Sequence, residues 1–236
     1  MTEDDPFAPL PDLARHRPAA RPFLGLRLLL VEDSRFAAEA VRLMCLKSGA
    51  RLRRADSLAA AHRHLAAYVP AVTIVDLGLP DGPGESLIAE LAAAGGHGIL
   101  ALSGDPDRED AAMAAGAARF LHKPLDGLAV FQQAVMDVLP SDMRKFGPRA
   151  LSSERVIPDL LALKDDLAHA VALLDSAEDP AARTYLAQFL HDLATSAGDV
   201  QLDRAATKLG QTGVTGVRGP LRHMLTERVA QTNMIA

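Results

Sequence analysis

Residues 26–33 read LRLLLVED. Leu26–Val31 is a compact apolar run of the kind that forms a strand buried on both faces. Two carboxylates, Glu32 and Asp33, follow it directly. The same pattern recurs at residues 71–76, AVTIVD, where Asp76 ends the run. Further strands are expected at Arg51–Arg54, Ile99–Leu102 and Arg119–Leu121. Between them lie amphipathic stretches at about Ser34–Ser48, Ser57–Ala67, Glu85–Ala94, Asp107–Ala115 and Gly127–Leu139. Five strands alternating with five helices predict an α/β domain: a doubly wound five-stranded parallel sheet covered on both faces. In such sheets ligands bind at the carboxyl ends of the strands.

That edge is where the polar residues fall. Glu32 and Asp33 close the first strand and Asp76 the third. Ser103 follows the fourth (ILALS) and Lys123 the fifth (FLHKP). Three carboxylates in one cleft repel one another unless a cation cancels the charge. A hard divalent ion with oxygen ligands does so, and Mg²⁺ suits a few carboxylates plus water. Lys123 supplies a point charge for a phosphate, and the Ser103 hydroxyl can donate to a phosphoryl oxygen. These are the parts of a phosphoryl-transfer site, with Asp76 as candidate carboxylate nucleophile. A single Asp at a strand end is more often a helix cap. The five groups together, in this order, point instead to a working site.

LLLVEDS, IVDLGLPDGPG, LALSG and GAARFLHKPL, in this order, resemble the receiver domain of two-component response regulators over about residues 25–140. The resemblance implies a flavodoxin-like receiver phosphorylated on Asp76. It implies Mg²⁺ at Glu32, Asp33, Asp76 and the Gly78 carbonyl, and phosphate contacts from Ser103 and Lys123. It further implies Phe120 as an aromatic switch position and a cis Lys123–Pro124 bond. Gly78 departs from the pattern, since a larger residue is commoner there, and this bears on access to the phosphorylation site.

The remaining chain divides around this domain. Residues 1–23, with five prolines among charges, read as a flexible arm. Residues 24–140 form the α/β domain, 141–150 (SDMRKFGPRA) a linker, and 151–236 an all-α bundle. Its helices are expected at Ser152–Ser176, Pro180–Gly198, Asp199–Leu209 and Leu221–Ala230, with a Gly/Thr-rich loop at 210–219. The bundle closes either within one chain or across a homodimer.

In the second of these helices, Leu186, Phe189, Leu193, Ala197 and Val200 cluster opposite His191, at roughly 160–240° of helix rotation. His191 therefore points outward, among the small residues Ala187, Ala194, Thr195 and Gly198. The string HDLATSAGDVQL resembles the histidine-phosphotransfer (HPt) pattern at His191, Leu193, Ser196, Ala197 and Val200. Ala194 stands in place of the family's Lys, with Thr195 and Gln201 in place of its two Gly. HDLAT also resembles the dimerisation helix of histidine kinases, where the acidic residue beside the His and the Thr assist transfer or dephosphorylation. No ATP-binding domain is expected in the 45 residues after His191 (236 − 191), so the chain is expected to accept and pass phosphate without being a kinase.

Composition excludes other classes. The net charge is −5, Trp is absent and aromatics are 4%, so a nucleic-acid surface is not expected. Arg218, Arg222 and Arg228 are interleaved with Glu227 and make no basic recognition helix. Arg51–Arg54 reads as a solvated edge. One cysteine, Cys45, allows neither an internal disulfide nor a multi-cysteine zinc site, and its place on an apolar helix face makes it a core residue. His62 and His64, two apart, make a poor metal pair; His97, His122, His169 and His223 read as surface residues. No apolar run approaches a membrane span and no signal-peptide core is present, so a cytoplasmic protein is expected. The resulting expectation is a phosphorelay protein whose partners are a sensor histidine kinase or another receiver or HPt protein. The alternative is a receiver that controls dimerisation or partner binding through its helices, with His191 not phosphorylated.

Overall fold

A computed structural model describes residues 21–95, 98–125, 127–140, 143, 154, 156–177, 179–212 and 216–235. Most of the predicted arm, His97 and nearly all of the linker lie outside these residues. The first predicted bundle helix, Ser152–Ser176, begins only at Leu160, since Glu154 and residues 156–159 are not helical and Asp159 caps it.

The α/β part follows the order β1 (Arg27–Val31), α1 (Arg35–Ser48), β2 (Arg51–Ala55), α2 (Leu58–Ala67), β3 (Val72–Asp76), β4 (Gly78–Leu79), β5 (Gly82–Pro83), α3 (Gly84–Ala94), β6 (Gly98–Ser103), a 3₁₀ turn at Pro106–Arg108, α4 (Glu109–Ala115), β7 (Arg119–His122) and α5 (Leu128–Val138). Five strands make one parallel sheet in the order β2-β1-β3-β6-β7. β1, β3 and β6 are buried along almost their whole length, as their unbroken apolar runs require. One face packs Leu28, Leu30, Ile74, Leu100 and Leu102 against α1 and α5. The other packs Leu29, Val31, Val75 and Ala101 against α2, α3 and α4. Cys45 lies in the first of these cores, and burial pushes its thiol pKa up to about 12, so it is an inert packing residue. The short antiparallel pair β4–β5 was not expected; it folds the PDGPG loop back at the end of β3.

β2 is an edge strand, as its arginines suggest, but Arg54 is not merely solvated. Its guanidinium donates to the carbonyls of Glu32 (2.9 Å) and Asp33 (2.6 Å), bracing the loop after β1.

Four helices follow: α6 (Leu160–Ser176), α7 (Pro180–Ala197), α8 (Val200–Thr212) and α9 (Arg218–Ile235). α8 runs past Gly210 and α9 begins at Arg218, so the expected Gly/Thr loop is shorter than its composition suggests. Leu167, Leu174, Leu186, Phe189, Leu190, Leu193, Leu202, Leu221 and Leu225 form their core within one chain. Val200, expected in that core, is 62% exposed, because Gly198 takes the left-handed conformation and ends α7 before it.

The helical part is joined to the sheet part through α1. Ser34 caps α1 by accepting from Ala37 N (3.0 Å) and donates to Asp166 Oδ2 of α6 (2.7 Å). Asp166 also accepts from Arg35 N (3.0 Å) and Phe36 N (2.9 Å), and the Phe36 ring belongs to the helical core. Burial raises the Asp166 pKa, opposed by those donors. Ser34→Ala removes the cap and one donor to a buried carboxylate. A loss of about 1–2 kcal/mol in urea unfolding is expected; an unchanged midpoint would show that α1 is held without its cap.

Candidate functional site

The carboxyl edge of the sheet gathers the predicted residues because β1 and β3 are neighbours and β6 and β7 continue the same side. Ligand oxygens of Glu32, Asp33 and Asp76 lie within 4.8 Å of one another. Lys123 Nζ reaches across from β7 to Asp76 Oδ1 (2.9 Å) and Glu32 Oε2 (3.0 Å). Ser103 is buried at the end of β6, and its hydroxyl accepts from Asp105 N (3.1 Å). The Lys123–Pro124 peptide is cis. Gly78 lies two residues beyond Asp76, in the short β4. Phe120 is buried in the second sheet core and tilts against the His122 ring at 4.8 Å.

The electrostatics follow from packing several charges where water is excluded. Burial pushes the Asp76 carboxyl up to about 7, with Lys123 opposing and Asp192 and Asp33 adding to the rise. Burial likewise holds Glu32 well above its ordinary value, reinforced by Asp76. Asp33 is raised by burial, against a hydrogen bond from Tyr185. Burial works against the Lys123 charge, yet Asp192, Asp76 and Glu32 hold its pKa well above that of an ordinary lysine.

Sequence reasoning missed the far wall of the site, which is α7. The Tyr185 hydroxyl donates to Asp33 Oδ2. Asp192 Oδ2 lies 3.2 Å from Lys123 Nζ, and its Oδ1 accepts from Gly104 N at 3.3 Å. The Gln188 side chain lies against Gly78: a Cβ there would sit 2.7 Å from Gln188 Nε2. Tyr185, Gln188 and Asp192 are three and four residues apart, so they share one helix face. That stripe was visible in the sequence, but nothing in it named the receiving surface. Lys123 thus faces three carboxylates, and Asp76 is 1% exposed.

His191 does not join this site. One residue from Asp192, it turns away by roughly 100°. Its Nδ1 pairs with Asp203 Oδ1 of α8 at 2.6 Å, and it lines a groove of about 650 Å³ with Asp105, Asp107, Arg108 and Gln188. Its side chain is 34% exposed, so the expected outward direction holds in part. Ala194, expected on the outer face, is buried in the bundle.

Residues 28–135 match the response regulator receiver domain family. This region is a response regulator receiver domain. The chain is 33% identical over 99 residues to the KDP operon transcriptional regulatory protein KdpE of Escherichia coli (strain K12), a match covering 41% of this chain and 44% of that protein. It therefore spans less than half the length of this curated relative. It is also similar to a response regulator structure from Chloroflexus aurantiacus J-10-fl (30% identity, 47% of this chain and 91% of that one, TM-score 0.42). A second similar structure is the Vibrio cholerae chemotaxis protein CheY4 (21% identity, 48% and 98%, TM-score 0.45). Receiver domains serve two-component phosphorelay signalling and interact with histidine kinases or phosphotransfer partners. Helices α6–α9 lie outside the matched segment. No described helix is long and apolar enough to cross a membrane.

Proposed function

We propose that this protein accepts a phosphoryl group on Asp76 with Mg²⁺ and that His191 exchanges phosphate with the receiver of a partner. The observation that carries the first part is the cluster itself: three carboxylates within 4.8 Å of one another, with the Lys123 ammonium 2.9 Å from Asp76. The donor set is all oxygen, which suits a hard cation. Among the described residues, Glu32 Oε2 and Asp76 Oδ1 are buried with no hydrogen-bond partner beyond the ion pair each makes with Lys123, so both keep lone pairs for a metal. Glu32, Asp33, Asp76 and the Gly78 carbonyl would hold it, and bound Mg²⁺ would screen the acceptor and the entering phosphate from each other. An Asp76 oxygen attacks the phosphorus of a phosphohistidine donor. The new O–P bond forms as the P–N bond breaks, and its electron pair returns to the donor imidazole. Lys123 and Ser103 meet the phosphoryl oxygens.

Asp203 supports the role of His191. A carboxylate on Nδ1 favours the tautomer with its proton there and leaves Nε2 as the nitrogen with a lone pair. Nε2 can then attack an aspartyl phosphate, with the P–O bond breaking to release the carboxylate. Since His191 faces the groove and not Asp76, the exchange is with another chain's receiver. KdpE is named a transcriptional regulator, but the match covers less than half of it.

Label stability tests both parts. The full chain and its Asp76→Asn and His191→Ala variants are exposed to a small phosphodonor with Mg²⁺, then to a phosphorylated partner receiver. Alkali-labile label absent from Asp76→Asn is expected, together with alkali-stable label absent from His191→Ala. Alkali-labile label that survives in Asp76→Asn would sink the acceptor assignment. Label confined to Asp76 with every donor would reduce His191 to a surface residue and favour a helical interaction module.

A further inference from the structure

We infer that α7 is an intramolecular lid on the acceptor site, with the Asp192 carboxylate standing in for the phosphoryl group on Lys123 and the Gly104 N–H. The inference rests on Asp76 being the acceptor. A phosphoryl group on Asp76 needs positive donors at the edge formed by β6 and β7. Lys123 Nζ and the Gly104 N–H are such donors, and both are held by Asp192, at 3.2 and 3.3 Å. One anion already there excludes a second, because like charges in a dry site repel strongly. The lid also closes the approach, leaving Asp76 1% exposed, and Tyr185 takes a lone pair of the metal ligand Asp33.

Two glycines make room for the lid. A Cβ at Gly78 would lie 2.7 Å from Gln188 Nε2 and 2.9 Å from its Cδ. A Cβ at Gly104 would lie 2.7 Å from Asp192 Oδ1. Gly78 is the position where the sequence departs from the larger residue common in receivers, and in this chain the departure is where α7 comes down. Neither glycine has a positive φ, so backbone conformation does not account for them. The neighbouring helix α6, which packs against α7, is fastened by Asp166 on the first amides of α1. Phosphorylation and lid closure are therefore mutually exclusive, and phosphorylation releases the Tyr185–Gln188–Asp192 face.

The test uses the full chain with acetyl phosphate and Mg²⁺, following the initial rate of alkali-labile label and hydrogen exchange at the Phe36 amide, whose acceptor is Asp166. Asp192→Ala removes the stand-in anion. Gly78→Met fills the space that the Gln188 side chain of α7 occupies, without changing any charge in the pocket. Both variants should label at least about tenfold faster than wild type, and both should speed Phe36 exchange by a similar factor. Labelling at the wild-type rate in both, or Phe36 exchange unchanged in both, overturns the lid. If no variant takes label above Asp76→Asn, the acceptor reading fails on its own. The stand-in role of Asp192 falls with it, and Phe36 exchange unchanged in both variants then rejects the closure of α7 as well.

Discussion

Lys123→Met is expected to destabilise the metal-free protein by about 3–5 kcal/mol near neutral pH, the usual cost of removing one partner from a buried ion pair. Methionine keeps an unbranched side chain, one atom shorter, and removes the ammonium with its charge and donors. Lys123 is buried and meets Asp76, Glu32 and Asp192 at 2.9, 3.0 and 3.2 Å. Without it, no other basic side chain is within ion-pair distance of these three carboxylates among the described residues. The pKa values of Asp76 and Glu32, already raised, then rise further. Such groups bind more protons folded than unfolded, so the penalty is small below the unfolded carboxylate value and grows as pH rises through the folded one. The gap between variant and wild type should narrow toward about pH 5 and widen toward about pH 8 in urea unfolding. A loss under about 1 kcal/mol, flat with pH, would mean that water reaches these carboxylates and the site is not sealed.

The wild type should show the same sign more weakly. Burial lifts Asp76 from an ordinary carboxylate value to about 7, and Glu32 and Asp33 also move up. Each raised group contributes stability that is present below its unfolded pKa and lost as pH rises through its folded pKa. Without divalent ions, stability should therefore fall between about pH 4 and pH 7, with roughly 4 kcal/mol as the ceiling for the Asp76 share. Mg²⁺ opposes the fall, because it binds the ionised carboxylates of the folded state. The gain in melting temperature on adding Mg²⁺ should be larger at about pH 8 than at about pH 5.5, and Asp33→Asn should remove most of it. Stability that rises with pH in the absence of metal would contradict a repulsive acidic cluster.

The sheet and the acidic edge were legible because both are local patterns. An unbroken apolar run becomes a buried strand, and the residue after it lies at the edge whatever its neighbours do. Glu32, Asp33, Asp76, Ser103 and Lys123 needed only strand order to be brought together. The helical part was legible as helices with an apolar face, since Leu186, Phe189 and Leu193 repeat at helical spacing. Two errors there have plain causes. Val200 fell beyond a left-handed Gly198 that ends the periodicity. Ala194 is small enough to sit at a close helix contact, so its size says little about direction. The roles of Asp166, Tyr185, Gln188 and Asp192 depend on how one part of the chain is seated on the other, and no periodicity encodes that. Gly78 was the one visible sign: a small residue where bulk is usual marks a place that something else fills.

Phe36 belongs by sequence to the first sheet helix and by contact to the bundle. A residue shared between two cores ties their melting together. Neither part can come apart without exposing that ring and stripping the first turn of α1 of the carboxylate it leans on. With α7 seated, the protein is one cooperative unit despite its two architectures. The boundary that composition draws near residue 150 is then not a line along which the folded chain comes apart.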